Sequence, residues 1–397
     1  MSLKKIAPIP SILALSIAAI ASQAQAVSFT QNDVTLDING TVNGFYVNRD
    51  SRTTSAAGVT TKTSTSGISN GLLPGWVNFV ATAKVEDVNV KAHISFAPGI
   101  NDSSTIVGLP DANGYPYAQI DTRNNYFSFG TDAMGTVKIG RDIGMFGQNV
   151  ILSDMTLLGV GGTSNAAVPY NTTFGMIGHG YMYTGFQAQI SYVSPKVSGL
   201  QAGVGLFQPK DYAGNGSKQP GLQAMASYDI PGAMPGQLWT GLINQKTDCQ
   251  NSSTCTVQPF SATGFELGGK LSVTPAAEVL VYGFNGKGLG LSTVGAQFLG
   301  GSDGDGNKTK SSGYFLQGTY KLGATKLGLN YGQNKDKDGA AGAGVTLKNQ
   351  SYTLGVYHSL NRFITLVGEF NNEKQTTSAS GATTKNNTIS LGGILFF

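Results

Sequence analysis

The sequence predicts an all-β fold: a closed antiparallel barrel that crosses a membrane with its strands. Three observations carry this. Segments of about ten residues with apolar and polar side chains in strict alternation recur along the 397-residue chain. Charged residues make up only 12%, against roughly 25% in soluble domains, while Gly stands at 55 positions, about twice its usual share. After the first thirty positions no apolar run reaches the roughly 18 residues a membrane helix needs. Side chains alternate faces along a strand, so each segment offers one apolar face and one polar face. A bilayer leaves no backbone group unpaired, so strands facing lipid must close into a cylinder.

The leader comes first. Lys4 and Lys5 precede the apolar run Ser11–Ile20, and Ala24-Gln25-Ala26 is an A-x-A cleavage site. Residues 1–26 therefore read as a cleaved secretory signal and 27–397 as one barrel domain. Cleavage removes two cations and no acid, lowering the net charge from +4 to +2. That balance argues against bulk nucleic-acid binding.

Sixteen strands are expected, joined by seven short and eight long connections that alternate. The first runs from Val34 to Asn48, followed by a Ser/Thr/Gly loop over residues 50–71. The alternation is sharpest at Val88–Phe96 and weak near 119–129. Short turns are read at Glu86-Asp87, Gly130–Gly135, Ser194–Gly199, Pro231–Gly236, Thr274–Ala277, Gly323-Ala324 and Leu360–Arg362. The last strand, N-N-T-I-S-L-G-G-I-L-F-F, ends at Phe397 with Ile389, Leu391, Leu395 and Phe397 on one face. Tight turns at one rim and long loops at the other are the rhythm of membrane barrels.

One connection differs from the rest. Ile143–Gly162 carries Met145, Phe146, Val150, Ile151, Leu152, Met155, Leu157, Leu158 and Val160, whereas the other loops are rich in Ser, Thr, Gly and Asp. A long apolar connection must pack somewhere, and the sheltered place in a barrel is its lumen. This predicts an inward-folded third loop that narrows the bore.

Three features carry a family resemblance: the strand ending at Phe397, the segment K-I-G-R-D (Lys138–Asp142) entering the third loop, and the run Gln189–Phe207. In these the chain resembles Gram-negative trimeric general porins over essentially its whole mature length. The resemblance implies an outer-membrane homotrimer in contact with lipid. It also implies passive diffusion of ions and small hydrophilic solutes, and recognition of Phe397 by the outer-membrane assembly machinery. The acidic P-E-F-G-G-D loop motif of enteric porins is absent; Ser153-Asp154-Met155-Thr156 stands in that region, so no selectivity is inherited.

Strand parity and distance from the turns put Lys91, His93 and Arg123 at mid-height on the inner wall. Arg141 begins the inward loop, and Asp142 and Asp154 supply facing negative charge. These six are the candidate constriction residues; each also reads simply as a solvated lumen side chain. The inner wall is close to charge balance with a slight positive excess. That predicts weak anion preference, with Arg123 mattering more than Lys326 near the periplasmic mouth. Two further readings stay open, a solute-selective channel and a barrel acting mainly as a surface adhesin. His93, His179 and His358 lie on different segments, and neither G-x-S-x-G nor H-E-x-x-H occurs, so no catalytic residue, cofactor or metal is expected. Cys249 and Cys255, in an oxidising compartment, are expected to form a small disulfide ring.

The closing strand yields a test. Phe397→Ala should lower the amount of folded barrel in the membrane, measured as heat-modifiable protein on gels; an unchanged yield would count against a role in assembly.

Overall fold

The computed structural model describes residues 26–100, 120–163, 172–209, 217–247, 259–290, 307–339 and 341–397. The leader up to 25 and the cysteine pair fall outside the described residues.

The strands in chain order are β1 (Val27–Gln31), β2 (Val34–Thr54), β3 (Thr60–Ser69), β4 (Trp76–Val85), β5 (Val88–Pro98), β6 (Ile120–Thr131), β7 (Gly135–Ile143), β8 (Phe186–Val193) and β9 (Leu200–Phe207). They continue with β10 (Gly221–Ile230), β11 (Gly236–Thr247), β12 (Phe260–Ser272), β13 (Ala277–Lys287), β14 (Lys310–Leu322), β15 (Thr325–Gly339), β16 (Gly342–Ser359), β17 (Ile364–Thr377) and β18 (Thr383–Phe396). Each strand from β4 to β18 pairs antiparallel with the next, and β2 pairs with both β18 and β4. The result is a closed sixteen-stranded antiparallel barrel with no free edge in its wall. All seven short turns read from the sequence join neighbouring strands.

Two strands lie outside that cycle. The first expected strand was to begin at Val34, yet β1 precedes it and pairs along β2 from Val27 opposite Ile38 to Gln31 opposite Val34. Because Phe397 exchanges both backbone hydrogen bonds with Gly40, β1 resumes the line of β18 almost where β18 stops. Residues 50–71, expected as a loop, instead continue β2 to Thr54 and return as β3, with Arg52 opposite Lys62. The Ser/Thr run hides this hairpin because both of its faces meet water, leaving no alternation to read.

Burial follows the predicted parity. On β5, Ile94 and Phe96 are exposed while His93 and Ser95 are buried; on β18, Ile389 and Leu391 are exposed while Thr388 and Ser390 are buried. The apolar face is therefore outside and the polar face inside. The weak patterning near 119–129 has a cause: the β5–β6 register shifts between Ile94 and Phe96. Arg123 and Asn124 together stand opposite Ser95, a bulge that resets the parity.

The β7–β8 connection contains helix α1 (Gln148–Ile151) and a 3-10 turn (Met155–Leu158). Its apolar residues are buried: Phe146, Val150 and Val160 are 0% exposed. They pack with aromatic side chains that stand on the inner face of the wall, among them Trp239, Tyr282, Phe315 and Tyr357. The Tyr181 ring lies edge-on to Phe315 with centroids 5.5 Å apart.

Polar side chains of the wall satisfy the backbone of this connection. Phe146 N–H donates to Gln223 Oε1 on β10 (3.0 Å) and Gly147 N–H to Glu266 Oε2 on β12 (2.9 Å). Met155 N–H donates to Gln317 Oε1 on β14 (2.7 Å), and Gly180 N–H to Asn334 Oδ1 on β15 (2.8 Å). The N–H groups of Val160 and Gly161 both donate to Glu369 Oε2 on β17, each at 2.8 Å. Glycine permits this approach, since a Cβ at Gly159 would lie 2.1 Å from Glu369 Oε1, and Gly161 holds φ at +59°.

Glu369 also accepts from Tyr357 Oη at 2.6 Å. Glu369→Ala would strand three buried donors, each costing about 1–3 kcal/mol. Amide exchange at Val160 and Gly161 should then accelerate by at least about tenfold, while β17 and β18 stay protected. Unchanged exchange would show that other contacts hold the connection.

Candidate functional site

The inner face of β4–β7 gathers a polar cluster around Tyr126. Lys91 Nζ lies 5.7 Å from the Tyr126 ring centroid and Lys138 Nζ 4.8 Å from it. His93 sits edge-on to the same ring, with centroids 5.4 Å apart. Its Nε2 is 2.9 Å from Asn78 Oδ1, and its Nδ1 is 3.4 Å from Tyr126 Oη. Asp142 is 5% exposed; it ion-pairs with Lys138 and accepts from Asn124 Nδ2 at 2.7 Å. Lys91 has no carboxylate at ion-pair distance among the described residues. The structure thus brings Lys91, His93 and Asp142 together.

Arg123 stands beside this cluster. Its Nε donates to Asp121 Oδ2 at 3.1 Å, and its guanidinium lies 5.4 Å from the Trp76 ring and 5.6 Å from the Phe186 ring. A flat cation over two aromatic faces is held rigidly.

Two candidates lie elsewhere. Arg141 pairs in register with Asn125 and Ala188, both exposed. That sets it on the outer face, where its Nε donates to the Thr122 carbonyl at 2.9 Å. Within Lys138–Asp142 parity alone separates the two sides: Lys138 and Asp142 face in and Arg141 faces out. Lys138 is the residue that sequence reading passed over, and the same alternation was the signal for it.

Asp154 does not face the cluster around Tyr126. It is 3% exposed and caps the 3-10 turn by accepting from Thr156 N–H at 2.9 Å. It also accepts from Tyr181 Oη at 2.7 Å. Burial pushes its carboxyl above the ordinary carboxylate range against the pull of these bonds. A group so enclosed is a structural cap, not a surface charge.

The other histidines sit apart from one another. His179 is buried with Nε2 3.5 Å from Glu373 Oε1. His358 Nδ1 is 2.9 Å from Thr325 Oγ1.

Comparison with solved structures finds the same barrel fold in several outer-membrane proteins. It matches an anion-selective porin from Comamonas acidovorans with a TM-score of 0.62 at 17% identity, covering 92% of this chain and 100% of that one. It matches the outer-membrane channel DcaP of Acinetobacter baumannii at 0.64 and 16%, covering 94% and 100%. It matches the trimer form of OmpT, an outer membrane protein of Vibrio cholerae, at 0.52 and 16%, covering 92% and 100%. At these identities the likeness is one of fold. No curated protein matches the chain in sequence. The family model for Gram-negative porins matches residues 13–378. The chain therefore belongs to the Gram-negative porins, a family of outer-membrane channels for passive diffusion rather than of enzymes.

Proposed function

We propose that the chain, after loss of residues 1–26, forms a homotrimeric, weakly anion-preferring diffusion channel. Its narrow zone lies between the β7–β8 connection and the inner wall of β4–β7. The connection binds wall side chains on β10, β12, β14, β15 and β17, the part of the wall away from Lys91. Folded into the bore on that side, it leaves water to run along the basic cluster. Ions in a narrow low-dielectric passage feel lining charges strongly. The anion-selective porin from Comamonas acidovorans that shares this fold agrees with this sign, and the trimer form of OmpT agrees with the assembly.

One observation carries the selectivity reading. Lys91 and Lys138 converge on one ring, and only Lys138 is matched by a carboxylate there. Lys91 is thus the cation whose charge the bore feels most, while Asp121 offsets much of Arg123. Cys249 and Cys255 closing one outer loop, and Phe397 as the assembly signal, complete the proposal.

In a tenfold salt gradient at low ionic strength, Lys91→Gln should lower the anion-to-cation permeability ratio roughly twofold, since the Debye length is then about 30 Å. Lys326→Gln should change it less, because that ammonium lies 4.8 Å from the Tyr357 ring and two residues from a short turn. A reversal potential unmoved by Lys91→Gln would remove that residue from the narrow zone.

A further inference from the structure

Two ammonium groups meet at the Tyr126 ring, and they are held there differently. Lys138 keeps its place without the ring, because Asp142 pairs with it. Lys91 has no carboxylate at ion-pair distance among the described residues, although Asp142 is close enough for its charge to act on Lys91. A lysine side chain is a flexible stem ending in a strongly hydrated point charge. Left alone in a wet lumen, that charge spreads over every position its rotamers reach. The Tyr126 ring, with its centroid 5.7 Å from Lys91 Nζ, lies within the range in which an aromatic face attracts a cation.

The ring itself is fixed. His93 on β5 and Gly140 on β7 stand directly opposite Tyr126 in register. Gly140 holds φ at +130°, and a Cβ there would lie 2.9 Å from Tyr126 Cβ, so no side chain on that flank competes with the ring. On the other flank His93 meets the ring edge-on.

His93 is fixed in turn. Asn78 Nδ2 donates to Asn39 Oδ1 at 3.0 Å, so Asn78 turns its carbonyl oxygen toward His93. An N–H must meet that oxygen, which puts the imidazole proton on Nε2. Nδ1 is then the acceptor, and Tyr126 Oη donates to it. Asn39, Asn78, His93 and Tyr126 thus form one hydrogen-bonded chain across the inner faces of β2, β4, β5 and β6. Lys91 stands one same-face step from His93 on β5, which sets it beside the ring. A lysine on the inner wall carries the same charge with or without such a chain, so charge alone does not account for it.

We propose that Tyr126 is a positioning residue for anion preference: its ring holds the Lys91 ammonium at one place in the bore, apart from Asp142, and the Asn39–Asn78–His93 chain aims the ring. This rests on the reading that Lys91 lines the narrow zone. Selectivity then depends on an uncharged side chain as well as on the sum of charges.

The test measures reversal potentials of the folded barrel in planar bilayers, in a tenfold potassium chloride gradient at low ionic strength. The variants are Lys91→Gln, Tyr126→Leu, Tyr126→Phe, and Lys91→Gln combined with Tyr126→Leu. Tyr126→Leu leaves every charge in place, yet should lower the anion-to-cation permeability ratio by about 1.5-fold or more. Tyr126→Phe keeps the ring and should stay within about 1.2-fold of the unmodified barrel. Where Lys91→Gln is already present, adding Tyr126→Leu should change the ratio by less than about 1.2-fold, because a residue that acts through another has nothing left to act on. A ring that merely supports the wall would move the ratio equally in both backgrounds. Should the leucine variant fail to fold, Tyr126→Gln, polar like its inner-face neighbours, takes its place with the same expectations. The positioning role is overturned if Lys91→Gln moves the ratio and Tyr126→Leu does not, if Tyr126→Phe loses as much as Tyr126→Leu, or if the two changes multiply. If Lys91→Gln itself moves nothing, the placement of Lys91 in the narrow zone fails first, and this inference falls with it.

Discussion

The structure depends first on one pairing, that of β18 with β2. Its ladder runs from Thr383 opposite Thr54 to Phe396 opposite Thr41, and without it both strands would present a row of unpaired backbone groups to lipid. In hydrocarbon each such group costs several kcal/mol. Closure is thus the condition on which every other feature rests. It explains why Thr383–Phe396 forms a strand paired along β2. It explains too why the two glycines Gly392 and Gly393 are tolerated there, opposite Phe45 and Gly44. The brief β1 strand continues the same line past Phe397 and covers the remaining edge of β2.

A closed wall creates an interior whose polar side chains must meet either water or other protein groups. From β10 to β17, inner-face carboxylates and amides take up the N–H groups of the β7–β8 connection, and tyrosines from neighbouring strands complete two of the carboxylates. Glu266 accepts from Gly147 N–H and Tyr282 Oη; Glu369 accepts from Val160 N–H, Gly161 N–H and Tyr357 Oη. These glutamates, inward-facing on their strands, are 1% and 5% exposed and consumed in holding the connection. Among the described residues, no side chain of β4–β7 is seen to take up an N–H of the connection in this way, and the polar side chains there cluster around Tyr126.

The barrel was legible in the sequence because alternation records the face of each residue and the lengths of connections record the rim. Seven turns and the strand parity of Val88–Phe96 came directly from these signals. The β2–β3 hairpin was not legible, since a sheet wetted on both faces has no apolar period. Nor was the bulge at Arg123-Asn124, because one extra residue erases the alternation that would reveal it. At the site, parity put Lys91, His93 and Arg123 on the inner face, and Asp142 was read only as facing negative charge at the start of the inward loop. It would also have separated Lys138 from Arg141 had it been followed through K-I-G-R-D. Asp154 could not be placed, because its partners Tyr181 and Asn330 are distant in the chain and local periodicity carries no record of them.

The central claim is that water and ions cross through the gap the β7–β8 connection leaves open, without a binding step. Single-channel conductance in planar bilayers, measured over a series of potassium chloride concentrations, tests it most directly. Steps that rise in proportion to bulk conductivity across the series are the predicted result. Conductance that saturates at low salt would show a binding site instead of a diffusion path, and membranes that remain silent would show that the connection closes the bore.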